Sequence, residues 1–149
     1  MDSIFKKLNF KSQEQTLVLN APDSFRINID AISDLTTIVE DINDVDSVTF
    51  AISFATKQSE VDAFATSILD KAASDATIWF AYPKKSSKNY TCEFNRDTGW
   101  EILGQYGYEG VRMVAIDQDW SALRFRQVSH IKKITRRKSM ALTKEAKRR

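Results

Sequence analysis

The sequence predicts an α/β protein, a mostly parallel sheet with helices on both faces. Three observations lead there. Segments of strand character alternate with segments of helix character from Thr16 to Val128, the pattern that builds parallel sheets. Ile78-Trp79-Phe80-Ala81-Tyr82 is apolar on both faces, as a central strand covered from both sides must be. Val61, Phe64, Ala65, Ile68, Leu69 and Ala72 recur at helical spacing, giving an apolar stripe that needs a sheet to lie on.

The first 15 residues are polar with scattered apolar side chains, and a loose lead-in is expected. Thr16-Leu17-Val18-Leu19 reads as the first strand, ending at Asn20-Ala21-Pro22-Asp23. Pro22 suits a first helical turn and Asp23 complements its dipole. With Phe25, Ile29 and Ile32 at helical spacing, residues 22–32 are expected to be a short helix. β-Branched Thr36-Thr37-Ile38-Val39 reads as the second strand, followed by an acidic turn to Asp46. The third strand is Val48 to Phe54, with Val48, Phe50, Ile52 and Phe54 on one face. The striped helix follows, with Thr56 as its cap and Glu60 in its first turn. Residues 77–82 make the fourth strand, 97–106 a third helix with Trp100 and Leu103 inward, and 111–116 the fifth strand. Asp117-Gln118-Asp119 turns the chain into a sixth strand, 120–128.

At 149 residues, 42% hydrophobic and 28% charged, the chain has the composition of one ordinary globular domain. The expected division is a lead-in over 1–15, a domain over 16–131 and a tail over 132–149. No apolar stretch approaches the roughly 20 residues of a membrane span, and MDSIFKKLNF lacks the apolar run of a signal peptide. The single cysteine, Cys92, fits a reducing compartment. A cytoplasmic protein without a membrane partner is therefore expected. The net charge of +2 divides into −6 over residues 1–131 and +8 over residues 132–149. Such a tail is drawn to a polyanion or to the acidic body itself.

The link between the second and third strands is too short for a crossover helix. The third strand is therefore expected on the far side of the first, giving the order 2-1-3-4-6-5 with strand six antiparallel. That arrangement resembles a shortened, methyltransferase-like, three-layer Rossmann architecture, an analogy of topology that carries no chemistry. Its geometric consequence is a shared rim. Asn20–Asp23, the loop after Tyr82 and the turn at Asp117–Trp120 all fall at the C-terminal edge of the parallel strands, where α/β sheets bind ligands.

Three strings sharpen the interest in that rim: Trp79-Phe80-Ala81-Tyr82-Pro83-Lys84-Lys85-Ser86-Ser87-Lys88, Asn95-Arg96-Asp97-Thr98-Gly99-Trp100, and Val114-Ala115-Ile116-Asp117-Gln118-Asp119-Trp120-Ser121-Ala122-Leu123-Arg124-Phe125-Arg126. Together with Leu17-Val18-Leu19-Asn20-Ala21-Pro22 they resemble a family of small bacterial domains of unknown function, over most of residues 16–137. The resemblance implies no activity, substrate or cofactor.

The candidate chemistry follows from side chains. Nucleotide cofactors need a Gly-rich turn after the first strand. Asn20-Ala21-Pro22-Asp23 has no glycine and Pro22 has no N–H, so no cofactor is expected. Lys84, Lys85, Ser86 and Ser87 offer ammonium and hydroxyl groups to an anion, or form a plain solvated loop. Arg96, Asp97 and Trp100 could meet Asp117, Asp119 and Trp120 in one pocket, with Arg96 reaching an aspartate. Alternatively, Asp97 caps the third helix and both tryptophans close the core. No histidine joins these groups and Cys92 lacks an activating base, so neither a catalytic set nor a metal site is expected. Lys132, Lys133, Arg136, Arg137 and Lys138 could contact nucleic acid, though no aromatic residue among them could stack on a base. The expected function is non-catalytic binding, at the rim, of a small polar or anionic ligand or a protein partner. The alternatives are an enzyme acting on a small anionic molecule and a nucleic-acid-associated protein working through its tail.

Overall fold

Residues 2–131 are described by a computed structural model; Lys132, Lys133, Arg136, Arg137 and Lys138 lie outside them. Strands β1 (Gln15–Leu19), β2 (Thr37–Val39), β3 (Val48–Phe54), β4 (Ala72–Pro83), β5 (Tyr108–Ala115) and β6 (Trp120–Gln127) form a single sheet in the order β2-β1-β3-β4-β6-β5. The first four are mutually parallel, and β6 runs antiparallel to both β4 and β5. This is the expected topology. Its least obvious step, the placement of β3 beyond β1, follows from the short link. That link contains one 3-10 turn, Ile42–Asp44, started when the Asp41 carboxylate accepts the Asn43 N–H at 2.9 Å. Lys71 Nζ donates to the Ile42 and Val45 carbonyls, each at 2.8 Å, and fastens the link under the start of β4.

Among the described residues, four α-helices cover the sheet: α1 (Ser3–Lys7), α2 (Arg26–Ile32), α3 (Gln58–Leu69) and α4 (Glu101–Gln105). Alternation along β4 decides which helices meet which side chains. Ile78, Phe80 and Tyr82 join Val61, Ala65 and Ile68 of α3 and Trp100 and Leu103 beside α4. Trp79 and Ala81 point the other way, to Phe5, Leu8, Ile29 and Ile32 of the α1/α2 layer. The sheet thus separates two apolar cores, and each fully buried large side chain in them contributes about 1.5–3 kcal/mol.

Several boundaries differ from expectation for identifiable reasons. The lead-in is not loose. Asp2 caps α1 by accepting the Ile4 and Phe5 N–H groups at 3.1 and 3.0 Å, and Phe5, Leu8 and Phe10 are buried. The Leu8 carbonyl accepts Trp79 Nε1–H at 2.8 Å, so the segment is stitched to the central strand. A five-residue helix is too short to show a period in sequence. Residues 23–25 form a 3-10 turn before α2. In the striped helix Phe64 is only partly buried, and Ala72 belongs to β4. Thr56 does not cap α3 through its side chain. Instead Glu60 Oε1 accepts the Thr56 and Lys57 N–H groups at 3.0 and 3.1 Å. The third helix shrinks to α4, because residues 84–99 form a long loop over the rim.

Candidate functional site

The C-terminal ends of β1, β3 and β4 and the β5–β6 turn share one rim, as the strand order requires. Pro83 is the register partner of Trp120, and the Lys84 N–H donates to the Asp119 carbonyl at 2.7 Å. Trp120 therefore adjoins the end of β4. The loop after β4 is pinned to the turn a second time: the Asp119 carboxylate accepts Ser87 Oγ–H at 2.8 Å and Asn89 Nδ2–H at 3.1 Å. Asp117 Oδ1 accepts the Asp119 and Trp120 N–H groups, each at 2.8 Å, and so shapes the turn.

The expected single pocket of Arg96, Asp97, Trp100, Asp117, Asp119 and Trp120 does not form. The sheet divides it. Trp120 lies on the α1/α2 side, ring to ring with Tyr90 at 4.9 Å and Phe54 at 5.2 Å. Trp100 lies on the α3/α4 side against Phe94 at 5.0 Å and Phe125 at 5.1 Å. Both indoles are buried, at 3% and 1% exposure, and close opposite cores. Arg96 approaches Asp97 at 3.7 Å, with both side chains largely in solvent, and pairs with neither Asp117 nor Asp119. Asp97 does not cap α4, which starts after Trp100 without a side-chain cap.

What the rim does hold is an open cleft of about 790 Å³ on the α3/α4 side, between the loop and the β5/β6 edge. Of the expected residues, Lys84, Lys85, Ser87, Arg96 and Asp97 line it, while Ser86, Trp100, Asp117, Asp119 and Trp120 do not. Tyr82, Met113 and Ser121 add a lining from three different strands. Tyr82 is 5% exposed and its hydroxyl donates to Met113 Sδ at 3.2 Å. Burial pushes the Tyr82 phenol up to about 12, against the opposing field of Arg96. The phenol is thus a neutral hydrogen-bonding group at the cleft. Burial likewise raises the Cys92 thiol, which makes it a poorer nucleophile. Glu93 is occupied in holding α3: its Oε1 accepts the Gln58 N–H at 2.8 Å. The cleft is lined by three cations, Lys84, Lys85 and Arg96, and two acids, Glu93 and Asp97. Tyr82, Met113 and Ser121 escape sequence reasoning because only the register of β4, β6 and β5 brings them together.

A Rossmann sheet ordinarily takes its nucleotide where the strand order reverses, here between β1 and β3. Asn20 stands at the mouth of that crevice. It adopts a left-handed backbone, φ 60°, and its Nδ2 donates to the Phe54 carbonyl at 2.8 Å and to Glu60 Oε2 at 3.0 Å. The side chain bridges the two strand ends where a glycine turn would let a ligand approach. Glu40, at the end of β2, is placed like a ribose-binding acid, but its carboxylate pairs with Arg26 at 2.6 Å. These residues do not fit adenosylmethionine or a dinucleotide at this crevice.

No protein-family model and no curated protein matches the sequence. Solved structures do share its fold. A SAM-dependent methyltransferase from Aquifex aeolicus superposes with TM-score 0.55 at 14% identity, over 84% of this chain and 88% of that one. The fibrillarin pre-rRNA processing protein of Methanococcus jannaschii gives 0.51 at 13% identity, over 78% and 67%. The pyocyanin biosynthetic protein PhzM gives 0.52 at 11% identity, over 85% of this chain and about half of that one, 54%. At such identities the likeness shows the fold: a methyltransferase-like Rossmann sheet. Fold alone assigns no chemistry.

Proposed function

We propose that the protein binds a small anionic molecule in the rim cleft, with Lys84, Lys85 and Arg96 as charged contacts and Tyr82 and Ser121 as neutral ones. The observation that carries this reading is an open cleft of about 790 Å³ at the strand C-terminal rim, with three cations to two acids and the neutral Tyr82 and Ser121 in its lining. Its size suits a metabolite. Ser87 and Asn89, tied to Asp119, hold the loop in place before any ligand arrives, which lowers the ordering cost of binding.

The second reading is an enzyme acting on such a molecule. It is favoured by the fold, since proteins of this architecture include the Aquifex aeolicus methyltransferase. The glycine-free turn after β1, with Asn20 bonded across to Phe54 and Glu60, argues against a reaction fed by adenosylmethionine at that position. A thermal-shift screen of di- and tricarboxylates, phosphate monoesters and adenosylmethionine tests both readings. A ligand at 100 times its Kd stabilises by about 2.7 kcal/mol. Arg96→Gln should lose the shift given by a rim ligand, and a hit changed chemically on incubation with the protein would favour the enzyme.

A further inference from the structure

On the opposite side of the sheet from the cleft, Arg112 of β5 and Arg124 of β6 stand directly across from each other. Their face is fixed by their neighbours: Val114 and Ala122, two residues along the respective strands, are buried in the α1/α2 core. Like charges directly opposite in a sheet destabilise it. The nearest acid relieves the repulsion only from a distance. Asp75, whose field reaches Arg124, is already held by Arg126 through two hydrogen bonds of 2.7 Å. Neither Arg112 nor Arg124 has an ion-pair partner among the described residues. Arg124 Nε, moreover, is shut off from solvent without a hydrogen-bond acceptor, a costly state for a charged donor. Arg112 is exposed at the strand edge, so an incoming group has access.

We propose that Arg112 and Arg124 form a second anion site, taking the phosphoryl group of a small phosphorylated molecule on the α1/α2 side of the β5/β6 edge. Two guanidinium forks from adjacent strands match phosphoryl oxygens, which accept paired hydrogen bonds. Desolvation, then the Arg126 charge and last that of Arg112 lower the Arg124 pKa, with Asp75 opposing them; an anion between the forks adds to the opposing field. The site stands apart from the rim cleft, whose lining residues Met113 and Ser121 point to the other face.

The test is a titration of the full chain with inorganic phosphate and pyrophosphate, against sodium chloride at matched ionic strength. Melting temperature and the arginine Nε–H NMR resonances are read together. The expected result is a saturable rise in melting temperature beyond the salt control, with the Arg112 and Arg124 resonances moving. Arg112→Gln should weaken binding about tenfold or more, as loss of one partner from a charge pair does, while Lys11→Gln, at an exposed position in neither site, leaves it unchanged. Without ligand, Arg112→Gln should melt higher than wild type at low salt, since it removes the repulsion. Arg124→Lys, which keeps the charge but not the fork, should bind more weakly even if Arg124→Gln fails to fold. A response equal to that of sodium chloride, or one lost in Arg96→Gln and kept in Arg112→Gln, would overturn the proposal.

Discussion

Replacing Phe5 with alanine probes the N-terminal segment whose docking was hidden from sequence. Phe5 is fully buried, with ring centroids 5.5 Å from Phe25, 5.6 Å from Phe10 and 6.0 Å from Phe50. It joins the segment to α2 and to β3, so its loss leaves a cavity among three rings that cannot all collapse inward. Phenylalanine-to-alanine changes in such sites cost about 3–5 kcal/mol, a large part of the roughly 5–15 kcal/mol available to a domain. Urea unfolding should show a markedly lower midpoint with an unchanged slope, the sign of lost stability in an unaltered two-state transition. Ile27→Ala, at a position 75% exposed, should stay within about 0.5 kcal/mol of wild type. A cost below about 1 kcal/mol for Phe5→Ala would mean that α1 does not dock as described.

Further outcomes test the rim. Asp119→Ala removes the acceptor for Ser87 and Asn89 and should increase proteolysis within residues 84–99 while costing only about 1 kcal/mol in global stability. Gly99→Ala should destabilise by more than about 1 kcal/mol, because φ is +90° and the new Cβ would meet Phe94 Cβ at 2.6 Å; urea unfolding reads it. The Tyr82 phenol, raised to about 12 by burial, binds its proton more tightly when folded. Stability should therefore fall as pH rises from about 10 towards 12, and Tyr82→Phe should flatten that slope in urea melts at pH 9 and 11.5, leaving the contribution of Tyr108, which burial also raises.

The strand order was legible because it rests on strong signals: the doubly apolar β4, the stripe of α3 and the brevity of the β2–β3 link. The rim was legible for the same reason, since strand direction alone sends Pro83 and Trp120 to one edge. Which face each rim side chain occupies was not. A shift of one residue in register exchanges the faces of a strand, and nothing in the string from Asp117 to Trp120 reveals that Trp120 sits opposite Pro83. Arg96 and Asp97 lie in a long loop without a period, so their failure to reach the turn could not be read from spacing. Phe5, Leu8 and Phe10 looked like scattered apolar residues because one turn of helix followed by extended chain matches no repeating template.

An amide NMR titration of the isotope-labelled chain tests the central claim most directly. The probes are small carboxylates, phosphate monoesters and adenosylmethionine, added one at a time. Binding in the rim cleft predicts saturable shifts at residues 82–98, Met113 and Ser121 that are absent from the Arg96→Gln variant, distinct from any that a phosphate monoester gives at Arg112 and Arg124. Shifts centred on Asn20, Pro22 and Glu40, or no saturable shift with any small anion, would contradict it.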